Sequence, residues 1–286
     1  MFLLDASGAY LGSAELRART PALLRVTAAI GDVDAAISVA SLRASRRDWT
    51  RPEFRPEGPA LFRDVRHPLV PDAVPNTILL DPGRGALITG SNMSGKSTFL
   101  RTIGVTTVMA QTLNTCLAGE YTAPVFRVRS CIGRSDDLRA GRSYYTDEVE
   151  ALLGLVAAGA AAAPHLFLLD ELFRGTNAVE RIAAGQAVLR ELIGGADRPT
   201  AHVALAATHD GELVDLLADT YTSYYFGDAA KAGGLVFDHR LQPGRATARN
   251  AIALLRLHGA PATLIERALA CAAELDRQRG TTLIGR

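Results

Sequence analysis

Residues Gly85–Leu100, GALITGSNMSGKSTFL, constrain this chain more than any other stretch. Ala86, Leu87 and Ile88 form a short apolar run suited to a buried strand. A glycine-flanked loop follows, and a helix is expected to begin near Lys96. Within the loop, Gly90-Ser91-Asn92-Met93-Ser94-Gly95-Lys96-Ser97 satisfies the spacing G-x-x-x-x-G-K-[ST] of a phosphate-binding loop. Glycines let successive backbone N–H groups turn inward as a cradle for phosphate oxygens. The helix that follows points its positive end at the same place. Lys96 supplies a point charge for the β- and γ-phosphates, and the Ser97 hydroxyl is placed to ligate Mg²⁺. The chain holds two lysines, Lys96 and Lys231, among many arginines, which argues against an accidental match. A nucleoside triphosphate site is therefore expected here.

A second stretch, His165-Leu166-Phe167-Leu168-Leu169-Asp170-Glu171, is a short continuous apolar run closing on two acids. That pattern predicts a buried parallel strand delivering carboxylates at its C-terminal end, the edge where ligands bind in open α/β sheets. Downstream of a phosphate loop, Asp170 would hold Mg²⁺ through water, and Glu171 would orient or deprotonate the attacking water. A third buried strand, His202–Ala207, ends in Thr208-His209-Asp210. Taken alone, His209 would be a satisfied strand-end histidine. Its place after the Asp170-Glu171 strand instead favours a residue that senses a γ-phosphate.

The remaining pattern sets these strands among helices. Residues 13–45 read as one long amphipathic helix packed on a neighbour, with Leu23, Val26, Ile30, Val33, Ile37 and Ala40 alternating at spacings of three and four. Five arginines and two acids between Arg43 and Arg55 read as a solvated basic helix end rather than a phosphate-backbone contact. Pro52, Pro56 and Pro59 mark a boundary. Strands are expected at 61–65, 76–80 and 124–133, with an apolar helix from about Ser97 to Leu113. An alanine-rich helix follows over Tyr145–Ala162, with Asp147 and Glu148 in its first turn, where negative charge meets the positive helix end. Another helix covers Ala178–Leu192. Thr220–Phe226 and Gly234–Arg240 suggest a hairpin at the sheet edge, and residues 249–275 two short helices broken at Gly259-Ala260-Pro261.

Composition narrows the partners. A net charge of +1 gives no global bias toward nucleic acid or membrane, so any such binding must use a local patch. The longest uncharged apolar run, Ala151–Ala163, is too short for a membrane span. Cys116, Cys131 and Cys271 lack metal-ligand spacing and suit a reducing compartment. The start carries no signal-peptide pattern, so a cytoplasmic protein is expected.

Several of these stretches together resemble the C-terminal ATPase domain of the MutS family of DNA mismatch-repair and related ATPases. They are Arg66-His67-Pro68-Leu69, Ile88 through Thr98, Arg134-Ser135-Asp136-Asp137-Leu138 through Gly141-Arg142-Ser143, Leu169 through Asn177, and Ala207-Thr208-His209. The resemblance covers roughly residues 61–270. It implies an α/β fold: an ABC-type P-loop NTPase with a mixed, largely parallel sheet flanked by helices and an N-terminal helical segment. The implied divisions are a lever-like helical segment over 1–60, the ATPase domain over 61–245 and a helical dimerisation element over 246–286.

The implied site is composite, with ATP and Mg²⁺ as its ligands. Gly90 through Thr98 bind ATP, Ser97 and Asp170 serve the metal, and Lys96, Glu171 and His209 are catalytic. Ser143, Arg174 and Asn177 would act in trans across a homodimer, and the segment before Asn76 would pack near adenine. Ser91, where mismatch-repair members usually carry proline, and Leu172-Phe173-Arg174-Gly175-Thr176-Asn177 after the acids point to a MutS-like side branch. A mismatch-reading domain, a connector and nearly all of a clamp are absent from the pattern. The expectation is a dimerising ATPase coupled to DNA repair. The alternative is a nucleotide-gated dimerisation module, or a truncated MutS-like fragment, without its own DNA contact.

Overall fold

The computed structural model describes residues 2–133, 144–160, 163–194, 200–231, 234–245, 252, 255–256 and 258–284. The chain divides into two compact units, 1–49 and 50–286. The first is a single helix, α1 (Phe2–Ser45), with Pro21 inside it. Leu23, Val26, Ile30, Val33 and Ile37, the stripe expected to pack on a neighbour, are 52–64% exposed. The basic end of this unit is largely self-satisfied: Arg46 forks onto Asp48 at 2.9 and 2.8 Å, and the Arg43 guanidinium lies 4.7 Å from the centre of the Trp49 ring.

The second unit is built on two sheets. A small one has the order β1-β5-β2-β3, from β1 (Glu53–Phe54), β2 (Ala60–Val65), β3 (Asn76–Leu80) and β5 (Glu120–Ala123). The larger has the order β10-β9-β4-β8-β7-β6, from β4 (Gly85–Gly90), β6 (Arg127–Cys131), β7 (His165–Asp170), β8 (Val203–Ala207), β9 (Tyr221–Lys231) and β10 (Gly234–Pro243). Every pairing in the larger sheet is parallel except the edge hairpin β9–β10.

The central strands are apolar throughout because both of their faces are covered. Along β4, Ala86 and Ile88 face one core while Leu87 faces the other; along β7, Leu166 and Leu168 alternate with Phe167 and Leu169. Strand β8 divides likewise, with Val203, Leu205 and Ala207 on one side and Ala204 and Ala206 on the other. The first core is closed by α2 (Lys96–Leu113) and the small sheet, through Phe99, Leu100, Ile103, Phe62 and Tyr121. The second is closed by α3 (Tyr144–Ala158) and α4 (Ala178–Leu192), through Leu152, Leu155, Leu189 and Leu192. Helix α2 approaches the sheet so closely that a Cβ on Gly104 would stand 2.7 Å from Leu168 Cδ1. Two further helices, α5 (Glu212–Leu216) and α6 (Ala262–Ile284), complete the described elements; α6 starts directly after Pro261.

The mixed, largely parallel α/β sheet expected from the sequence is present. The strands β1 and β5 and the helix α5 were not anticipated. The expected helix before Gly259 and the Arg134–Ser143 segment fall wholly or partly outside the described residues.

Candidate nucleotide site

Register brings the three decisive stretches to one edge of the sheet. Ile88 of β4 pairs with Ala207 of β8, and Ala207 pairs in turn with Asp170 of β7. Two more bonds extend the row: Thr208 N–H donates to Ile88 O at 3.0 Å, and Glu171 N–H donates to Ala207 O at 3.0 Å. The phosphate loop, the acidic pair and His209 therefore leave neighbouring strands side by side, at their C-terminal ends.

The loop is shaped by backbone conformations that favour glycine. Gly90 has φ 145°, and a Cβ there would meet Phe226 O and Ser94 Oγ, each at 2.9 Å. Helix α2 starts after Gly95 with no side-chain cap and no acid in its first turn, so its positive end is not neutralised from within. Ser94 Oγ is buried with no hydrogen-bond partner among the described residues. Asn92, Met93, Ser97 and Thr98 line a cavity of about 430 Å³, a size that suits a small-molecule ligand.

Lys96 is buried, and its ammonium donates to Gly90 O and Ser91 O, both at 2.9 Å. Burial pulls its pKa below the ordinary lysine value, against the opposing pull of Glu171 and Asp170. His209 Nε2 lies 3.4 Å from Lys96 Nζ and 2.8 Å from Glu171 Oε1. A carboxylate oxygen only accepts, so Nε2 carries the hydrogen and the shorter contact is the hydrogen bond. The other Glu171 oxygen is 3.4 Å from Arg174 Nε of the same chain. Asp170 Oδ1 is a buried atom with no hydrogen-bond partner among the described residues, the state expected of a carboxylate oxygen that serves a metal through water.

Lys96, Asp170, Glu171 and His209 are thus brought together as the sequence suggested. Asn177 caps α4, its Oδ1 accepting from Glu180 N–H at 3.0 Å. Arg174 is exposed, and Ser143 lies outside the described residues.

One wall of the cavity combines the segment before Asn76, which the resemblance singled out, with a histidine that sequence reasoning missed. It is formed by Val70, Pro71, Ala73 and Val74 before β3 and by His239 from β10. His239 sits in a register shift of the β9–β10 hairpin with φ 52°, and its Nδ1–H donates to Ser94 O at 2.9 Å. Asn76 fixes this bulge from both sides: Nδ2 donates to His239 O at 2.9 Å, and Oδ1 accepts from Leu241 N–H at 2.7 Å. The sequence signal for His239 was a polar Asp-His-Arg step directly after the apolar Leu235-Val236-Phe237. Arg181 was also missed. It forks onto Asp210, next to His209, at 2.8 and 2.6 Å, and so ties that turn to α4.

Comparison with known proteins places this geometry in a family. The family profile of MutS domain V matches residues 86–276, which spans the phosphate loop, the acidic strand and His209. A DNA mismatch repair protein MutS of Natronomonas pharaonis is 34% identical over 89% of this chain and 30% of its own length. One from Desulfitobacterium hafniense is 32% identical over 91% of this chain and 31% of its own length. A DNA mismatch repair protein MutS 2 of Halobacterium salinarum is 36% identical over 89% and 29%, respectively. The chain therefore spans about a third of the length of these relatives. Among the described residues, no helix is long and apolar enough to cross a membrane. With the profile covering two thirds of its residues, this chain belongs to the MutS family, through MutS domain V.

Proposed function

We propose that this chain binds and hydrolyses Mg²⁺-ATP at the edge formed by β4, β7 and β8, in a site completed by a second copy, and that turnover serves a DNA-repair role. The observation that carries the reading is the Glu171–His209 contact at 2.8 Å beside the buried Lys96, on strand ends that register brings together.

Lys96 is poised to exchange its two loop carbonyl partners for phosphate oxygens, which return more charge to a buried ammonium. The Ser97 hydroxyl and the unpartnered Asp170 Oδ1 suit Mg²⁺. When bound, Mg²⁺ offsets negative charge developing on the phosphate oxygens. His209 holds the Glu171 carboxylate through Nε2–H, and Glu171 then orients the attacking water and takes its proton. His239 and the aliphatic wall at Ala73 and Val74 suit the flat, apolar faces of a purine. Ser143, Arg174 and Asn177 act across the dimer in this reading, which family membership supports.

The near-neutral net charge favours one other reading, a nucleotide-gated dimerisation module with no DNA contact of its own. Steady-state ATP turnover with and without duplex and branched DNA separates the two. A DNA-coupled ATPase shows stimulation and salt-sensitive binding. Unchanged turnover together with salt-insensitive binding would reject the DNA-coupled form.

A further inference from the structure

Glu148, in α3, is a carboxylate only 2% exposed, on the helix whose Leu152 and Leu155 belong to the second core. Its place in the first turn of the helix suggested a charge set against the helix dipole. Instead, its Oε1 accepts from Phe173 N–H at 2.8 Å. A carboxylate is kept in such surroundings only where hydrogen bonds offset its desolvation. Its partner amide is two residues from Glu171.

The turn that amide belongs to is strained. Glu171 has φ 51° and Phe173 φ 56°, left-handed conformations that a bulky side chain rarely adopts. Such conformations persist where the surroundings over-determine them, and they cluster at functional sites. Among the restraints on this turn, Glu171 N–H is fixed to Ala207 O, the Leu172 and Phe173 side chains are buried, and Phe173 N–H is fixed to Glu148. The first comes from β8 and the third from α3, so Glu148 pins the side of the turn that the sheet does not reach.

We infer that Glu148 is the positioning residue that holds the Glu171 turn, and with it the Glu171 carboxylate, in place for water activation. The inference rests on the ATPase reading given above. Glu148 does not line the nucleotide cavity and is not a catalytic residue. The phosphate loop and Lys96 hang on β4, a different strand, so the loss of Glu148 should separate catalysis from binding.

The test compares Glu148→Met, which fills the space without an acceptor, with Glu148→Gln, which keeps Oε1. Glu148→Met is expected to lower kcat about 10-fold or more, the scale of a small misplacement of a catalytic group. Its affinity for a non-hydrolysable ATP analogue should stay within about 3-fold of wild type, since a lost positioning contact acts on kcat. Glu148→Gln should turn over at close to the wild-type rate. A wild-type kcat in Glu148→Met, or an equal loss in Glu148→Gln, would overturn the inference.

Amide hydrogen exchange on the wild-type chain and Glu148→Gln covers the case in which Glu148→Met does not fold or wild type shows no turnover. The second result would overturn the ATPase reading itself. Strong protection of the Phe173 amide in both proteins supports the restraint, and exchange at an open-loop rate in either overturns it.

Discussion

Glu171→Gln is expected to slow ATP hydrolysis by about 10²- to 10³-fold, within the usual range for loss of a general base. The amide is nearly isosteric and its oxygen can still accept from His209 Nε2–H, so the hydrogen bond seen at 2.8 Å need not be lost. What disappears is the charge and basicity that take the proton from water. Nothing in the phosphate loop is touched, and ATP affinity should stay within about 3-fold, as for a group that acts mainly on kcat. ATP bound without turnover should then accumulate the dimer. The measurements are phosphate release under saturating Mg²⁺-ATP and the sedimentation coefficient with and without ATP. A variant at the wild-type rate would remove Glu171 from the mechanism, and a monomer at saturating ATP would contradict the shared site.

Lys96→Ala should produce the opposite separation. Its ammonium is buried, holds two loop carbonyls at 2.9 Å and stands ready to pair with phosphate. Removing a charged donor of this kind costs about 1.5–3 kcal/mol, or roughly 10- to 100-fold in ATP affinity. Hydrolysis falls with it, because bound phosphate would lose the loop's buried cation. Isothermal titration with ATP reads the first effect directly. If Lys96→Ala binds ATP as tightly as the wild-type chain, the nucleotide lies elsewhere. The pair of variants is diagnostic: Glu171→Gln keeps binding and loses turnover, whereas Lys96→Ala loses both.

The strand ends of the candidate site were legible because each is written in consecutive residues. The phosphate loop needs its glycines, lysine and serine at fixed spacing. The run His165–Asp170 cannot be half-exposed when every side chain from His165 to Leu169 is buried. The hairpin at the sheet edge was legible for the same local reason. Strand β5 was not: four residues, Glu120–Ala123, are too short to show a period, and their partners lie in β1 and β2, far away in sequence.

The His239 bulge and the inner supports were hidden for a different reason. His239 matters because Asn76, 163 residues away, clamps the bulge that presents it. Glu148 read only as a first-turn acid set against the helix dipole, because nothing in its own segment marks a partner 25 residues away. Only the fold shows that it faces Phe173. Arg181 and Asp210 are likewise paired across 29 residues by helix packing, which no local pattern encodes. Chemistry carried by one strand end is readable from sequence, whereas chemistry assembled from several elements requires the fold.

In the proposed function this chain hydrolyses Mg²⁺-ATP at a site that Ser143 of a second copy completes. The most direct measurement is the rate of ATP hydrolysis per chain as wild-type protein concentration is raised at saturating Mg²⁺-ATP. A shared site predicts a rate per chain that climbs through the range where dimer forms and then levels off. A rate per chain that stays constant while the protein remains monomeric, or no hydrolysis at any concentration, would contradict it.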